Sequence, residues 1–125
     1  KNILLVGIRN SDISEIEFLK EKNIRTISIN QLLENLEETC EIIMEFSDRR
    51  ELYLSLDIDI VDPAFAIGTG YIEPGGLTSR EFIYLIQRLN KIKNLRAVDL
   101  VEINPKKDVS NMTVKLGAKI LAELL

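Results

Sequence analysis

The chain has 125 residues, enough for one compact domain, and its 46% hydrophobic and 29% charged content suits a globular fold rather than a disordered tail. Its formal charge of −4, from 16 basic and 20 acidic residues, argues against nucleic acid or an anionic membrane as the main partner. The single cysteine, Cys40, excludes an internal disulfide and fits a reducing, cytoplasmic setting.

The predicted elements alternate between strand and helix. Residues 2–8 form an apolar run, Ile3-Leu4-Leu5-Val6 and onward, which reads as a buried strand. The chain starts at Lys1, without Met and without a lead-in to that strand, and so reads as a fragment or a trimmed product. Residues 13–22 place Ile13, Ile16 and Leu19 at helical spacing, with Asp12 or Ser14 as the N-cap. A β-branched strand follows at 25–29. A helix over 31–46 carries Leu32, Leu33, Leu36, Cys40 and Ile43 on one stripe, with Asn35 a candidate interruption. Residues 51–57 are a third strand. Residues 58–77 hold four of the six glycines and two of the three prolines, and read as loop. Thr78-Ser79-Arg80-Glu81 is a capping-box pattern ahead of a helix presenting Phe82, Leu85, Ile86 and Leu89. A fourth strand spans 95–103, and a last helix, 111–125, turns Val114, Ala118, Leu121 and Leu125 inward. No apolar run is long enough to span a bilayer.

This alternation predicts an α/β fold, a parallel sheet with helices on both faces, in one domain over 1–125. Ligands of such sheets bind beyond the carboxyl ends of the strands, here near Arg9, Asn30, Asp57 and Glu102. One of those ends is acidic: Ser55-Leu56-Asp57-Ile58-Asp59-Ile60-Val61-Asp62-Pro63. In a strand, residues two apart project to one side, so Asp57 and Asp59 can offer two carboxylates to one point. Such a pair suits a hard divalent cation, Mg²⁺, Ca²⁺ or Mn²⁺. The alternative is one aspartate capping a turn and the other solvated. An EF-hand is excluded, because its sixth and twelfth positions fall on Asp62 and Gly68. A P-loop is excluded because no lysine follows the glycines. Asp57-Ile58-Asp59-Ile60-Val61 does match a Mg-dependent aspartyl-phosphate phosphatase of the haloacid-dehalogenase type, with Asp57 as nucleophile and Asp59 as general acid. That motif usually ends the first strand of its fold, not the third.

Read through to Glu81, the stretch SLDIDIVDPAFAIGTGYIEPGGLTSRE resembles the signature of the arginase/agmatinase (ureohydrolase) family. Val6-Gly7-Ile8-Arg9, Leu100-Val101-Glu102-Ile103-Asn104-Pro105 and Thr113 through Leu125 resemble further family segments, so the likeness covers essentially the whole chain. It implies an arginase-like three-layer α/β/α fold, of which this chain is the C-terminal portion. It also implies that Asp57 and Asp59 bind a binuclear Mn²⁺ pair and that Glu102 pairs with the substrate guanidinium. Asp12 matches a position near the substrate's amino group, and is equally suited to be a helix N-cap. The implied reaction releases urea from a guanidino substrate. The run Ile72–Glu81 looks closer to prokaryotic agmatinases, which would convert agmatine to putrescine.

The chain has no histidine, whereas the family's Gly-Gly-Asp-His and Asp-Ala-His-x-Asp segments supply most metal ligands and the proton-shuttling histidine. The resemblance therefore leaves the catalytic residue unidentified and implies a chain inactive alone, completed by an N-terminal half or partner chain in a homo-oligomer. The other reading is a non-catalytic scaffold or regulatory subunit that keeps the fold. Asp99 in the fourth strand and the loop residues Pro63, Gly68, Gly70, Gly75 and Gly76 read as structural, and Phe65 and Tyr71 as packing.

Overall fold

The computed structural model describes residues 2–125. In chain order the elements are β1 (Leu4–Ile8), α1 (Ile13–Glu21), β2 (Arg25–Ser28), α2 (Ile29–Glu34), α3 (Leu36–Ser47), β3 (Leu52–Asp57), a 3₁₀ turn (Ile58–Ile60), α4 (Ser79–Leu89), β4 (Leu95–Val101) and α5 (Met112–Glu123). β1 pairs in parallel with β2, and β3 with β4, each through a helical crossover. The expected single sheet is thus two parallel two-stranded sheets. Among the described residues β1 and β3 are not paired; both line a cleft of about 810 Å³ whose lining also includes Asp57 and Asp59.

Local chemistry sets the helix ends. The Thr78 hydroxyl accepts from Glu81 N (3.2 Å), and the Glu81 carboxylate accepts from Thr78 N (2.7 Å), closing the predicted capping box. The predicted helix over 31–46 is two helices divided at Asn35. Asn35 N–H closes α2 onto Gln31 O (3.3 Å), while its side chain accepts from Glu38 N (3.0 Å) and starts α3.

The core lies between β3–β4 and the helices α3, α4 and α5. α4 buries Phe82, Leu85, Ile86 and Leu89 at helical spacing, against a core that includes Leu56 of β3, Cys40 and Ile43 of α3, and Leu116 and Ile120 of α5. Each large side chain contributes at most about 1.5–3 kcal/mol on burial. α5 is rotated from its expected phase: Thr113, Leu116, Gly117 and Ile120 are buried, whereas Leu121 and Leu125 are exposed. Two members of the true stripe are not hydrophobic. Thr113 Oγ1 accepts from Gly68 N (2.8 Å), and a Cβ on Gly117 would lie 2.5 Å from Ile103 Cδ1. α1 buries nothing, and Ile13 and Phe18 face outward.

Candidate functional site

The site begins where β3 ends. Strand geometry stops at Asp57, and Asp59 stands within the short turn Ile58–Ile60. The expected strand alternation therefore does not aim these two side chains. The turn does so instead, with Asp57 Oδ1 accepting from Asp59 N (3.1 Å). Fully buried Ile58 anchors the turn, and Leu77 N donates to Ile60 O (2.9 Å) from the far end of the loop.

Protein crowding pushes the Asp57 carboxyl up to about 6, although the residue as a whole is solvent-accessible. The Asp59 N–H bond opposes that rise, while the negative charges of Asp59 and Glu102 add to it. Asp57, Asp59 and Glu102 thus share one electrostatic field at the carboxyl ends of β3 and β4. Glu102 follows β4 with φ at 66°, in the left-handed region, and its Oε2 would lie 3.1 Å from a Cβ placed on Gly70. A side chain at Gly70 would press on this carboxylate.

Arg9 approaches from the carboxyl end of β1. One of its guanidinium nitrogens donates to Asp59 O and to Glu73 O, the latter at 3.0 Å. Next to it, Asn10 Nδ2 donates to Tyr71 Oη and to Glu73 Oε2, both at 3.1 Å, which fastens the rim of the loop to β1. Asp62 accepts from Ala64 N and Gly75 N (2.9 and 2.8 Å), and these bonds hold its carboxyl below the usual range. A Cβ on Gly76 would meet Ile60 O at 2.5 Å, so this position admits only glycine without displacement.

Asp12 behaves as a cap. It accepts from Glu15 N (2.9 Å) and Ser14 Oγ (2.7 Å), while Glu15 returns a bond to Asp12 N. Its carboxyl lies below the ordinary range because of these bonds, the Glu15 N–H foremost. Among the described residues, no hydrogen bond or ion pair joins Asp12 to Asp57, Asp59 or Glu102. Asp99 accepts from Tyr53 Oη, as a strand aspartate in need of a partner should. Tyr71 is exposed and hydrogen-bonded rather than packed. Arg9 ends both a predicted strand and the run Val6-Gly7-Ile8-Arg9, but neither signal says what its side chain bonds.

Hard oxygen donors with unbalanced negative charge fit a divalent cation, but only in part. Among the described residues, no group of three or more His, Cys, Asp or Glu side chains is arranged to hold a metal. Asp57 and Asp59 are therefore suited to be two ligands of a larger set.

The family profile described as Arginase family matches residues 1–125. An arginase of Staphylococcus aureus (strain MRSA252) is 34% identical over 125 residues, a match covering 97% of this chain and 41% of that protein. An agmatinase of Bacillus subtilis (strain 168) is 35% identical, covering 99% of this chain and 41% of that protein. The solved arginase from Bacillus caldovelox superposes with a TM-score of 0.91 at 29% identity, over 97% of this chain and 42% of that one. The chain thus spans about 41% of the length of the curated relatives it matches. With its full length matched and its parallel sheets superposing on the solved enzyme, the chain belongs to the arginase family.

Proposed function

We propose that this chain is the C-terminal portion of a manganese-dependent amidinohydrolase that releases urea from a guanidino substrate. The observation carrying this reading is the placement of Asp57, Asp59 and Glu102 at one strand end, with Asp57 bonded to Asp59 N (3.1 Å) and in register with Val101, the neighbour of Glu102. Asp57 and Asp59 would hold Mn²⁺ in company with ligands from the rest of the protein. Bound manganese supplies Lewis-acid activation of water. Glu102 would accept from the guanidinium, whose planar donors match a carboxylate fork. Asp12, the N-cap of α1, would face the substrate's far end.

Relatives named arginase, agmatinase and proclavaminate amidinohydrolase all align with this chain. The run Ile72–Glu81 favours agmatine as substrate, yielding putrescine and urea. The remainder of the relatives' length would supply the histidines, alone or within a homo-oligomer, in the cytoplasm. The aspartyl-phosphate alternative is not favoured, since family likeness covers the entire chain.

The test is urea release by the full-length protein with Mn²⁺, on agmatine and on arginine in parallel. Urea from agmatine supports the whole reading, and urea from arginine alone moves only the substrate. Phosphate release with Mg²⁺, or no hydrolysis and no metal uptake, would overturn it.

A further inference from the structure

Arg9 stands out because its hydrogen bonds go to backbone rather than to carboxylate, although its charge also helps hold the Asp62 carboxyl low. It lies beside an acidic site, yet makes no ion pair among the described residues. Its guanidinium instead grips two carbonyls that are 50 and 64 residues away in sequence, Asp59 O and Glu73 O. The first belongs to the turn that carries Asp59, and the second to the loop whose far end bonds back to that turn through Leu77 N and Ile60 O. Gly7, buried with φ at 80°, lets the end of β1 come this close: a Cβ there would lie 2.5 Å from Ile60 Cδ1.

A three-residue 3₁₀ turn has little rigidity of its own. A half-turn rotation of its peptide planes would swing the Asp59 side chain away from Asp57. A guanidinium that bonded the Asp59 carboxylate would steady it too, but would neutralise it and compete with a cation. Bonding through the carbonyl oxygen fixes the backbone and leaves both carboxylate oxygens available. Lysine copies this only in part: its ammonium also carries several donors, but its flexible stem does not hold them in a fixed plane toward both carbonyls.

We propose that Arg9 is a positioning residue that sets the Asp59 carboxylate for a divalent cation by clamping the Asp59 and Glu73 carbonyls. This inference rests on the reading of Asp57 and Asp59 as metal ligands.

The experiment measures Mn²⁺ binding to the full-length protein by titration calorimetry, with metal-free melting followed by circular dichroism. The unsubstituted protein, Arg9→Lys and Arg9→Gln are compared. Loss of supporting contacts behind a metal ligand typically weakens metal binding about 10- to 100-fold. The expected result is a loss in that range for Arg9→Gln and a smaller one for Arg9→Lys, with metal-free melting of Arg9→Lys close to the unsubstituted protein. Unchanged Mn²⁺ affinity in either folded variant overturns the positioning role alone. If Arg9→Gln fails to fold, Arg9→Lys decides the matter by the same comparison. No Mn²⁺ binding by the unsubstituted protein would overturn the metal reading itself.

Discussion

Asp57 is the residue whose protonation ought to report on the site. With its carboxyl raised from 3.8 to about 6, the folded metal-free protein holds this proton more tightly than the unfolded chain does. The stabilising contribution is therefore complete below about pH 4 and is lost as pH rises through about 6. On the proposed reading, Asp57 would have to give up that proton to hold a divalent cation, so Mn²⁺ affinity should climb over the same interval. Melting curves of metal-free protein across this window should show the decline, and Asp57→Asn should flatten it. A slope that persists in Asp57→Asn would place its origin in another group. Asp57→Asn and Asp59→Asn should each abolish Mn²⁺ retention in the full-length protein. Glu102→Gln should retain metal and lower turnover about 10- to 100-fold, the equivalent of one charge-assisted hydrogen bond of roughly 1.5–3 kcal/mol. Unchanged kinetics would remove Glu102 from the substrate site. Its backbone supports a second measurement, because a left-handed non-glycine residue costs about 1–2 kcal/mol. Glu102→Gly should raise the melting temperature while losing turnover, the pattern of a residue kept for chemistry at the expense of stability.

At the scale of elements, α5 and α4 rest on different devices. α5 begins at Asn111, whose side chain makes no cap, and Asp108 serves in its place. Its carboxylate accepts from Val109 N, Thr113 N and Val114 N at 2.9–3.0 Å. Asp108→Ala should cost about 1–2 kcal/mol in chemical denaturation, the upper range for a lost cap. Ile86→Ala, in the fully buried stripe of α4, should cost about 2–5 kcal/mol through the cavity it leaves. These helices also show what the sequence could tell. α4 was legible because its cap and stripe are short-range patterns. The phase of α5 was not, because Thr113 and Gly117 are buried for a hydrogen bond and for close approach, neither of which hydrophobic spacing records. Asp57 and Asp59 were legible as a pair. Their geometry was not, because a 3₁₀ turn replaces strand alternation after Asp57. Arg9 was legible as a strand end, but its two carbonyl partners are remote in sequence, so no local pattern could reveal them.

Among the described residues the strands form two two-stranded sheets, and one cleft is lined by a strand of each. β1 and β3 both line it, and among the described residues each has one edge with no strand beside it. In the full-length protein these amides should exchange slowly with solvent, whereas in the 125-residue chain alone they should exchange quickly. Equal exchange in both would mean that the remaining polypeptide does not cover these edges. The short chain should also hold Mn²⁺ only weakly, since two aspartates leave most of its coordination to water. The cleft has a practical consequence. If the proposed function holds, a chain with two strand pairs and a gap between them suits split-enzyme complementation. Expressed beside a separate polypeptide carrying the rest of the family's length, it would turn reassembly into a visible signal, urea appearing only where the two halves meet.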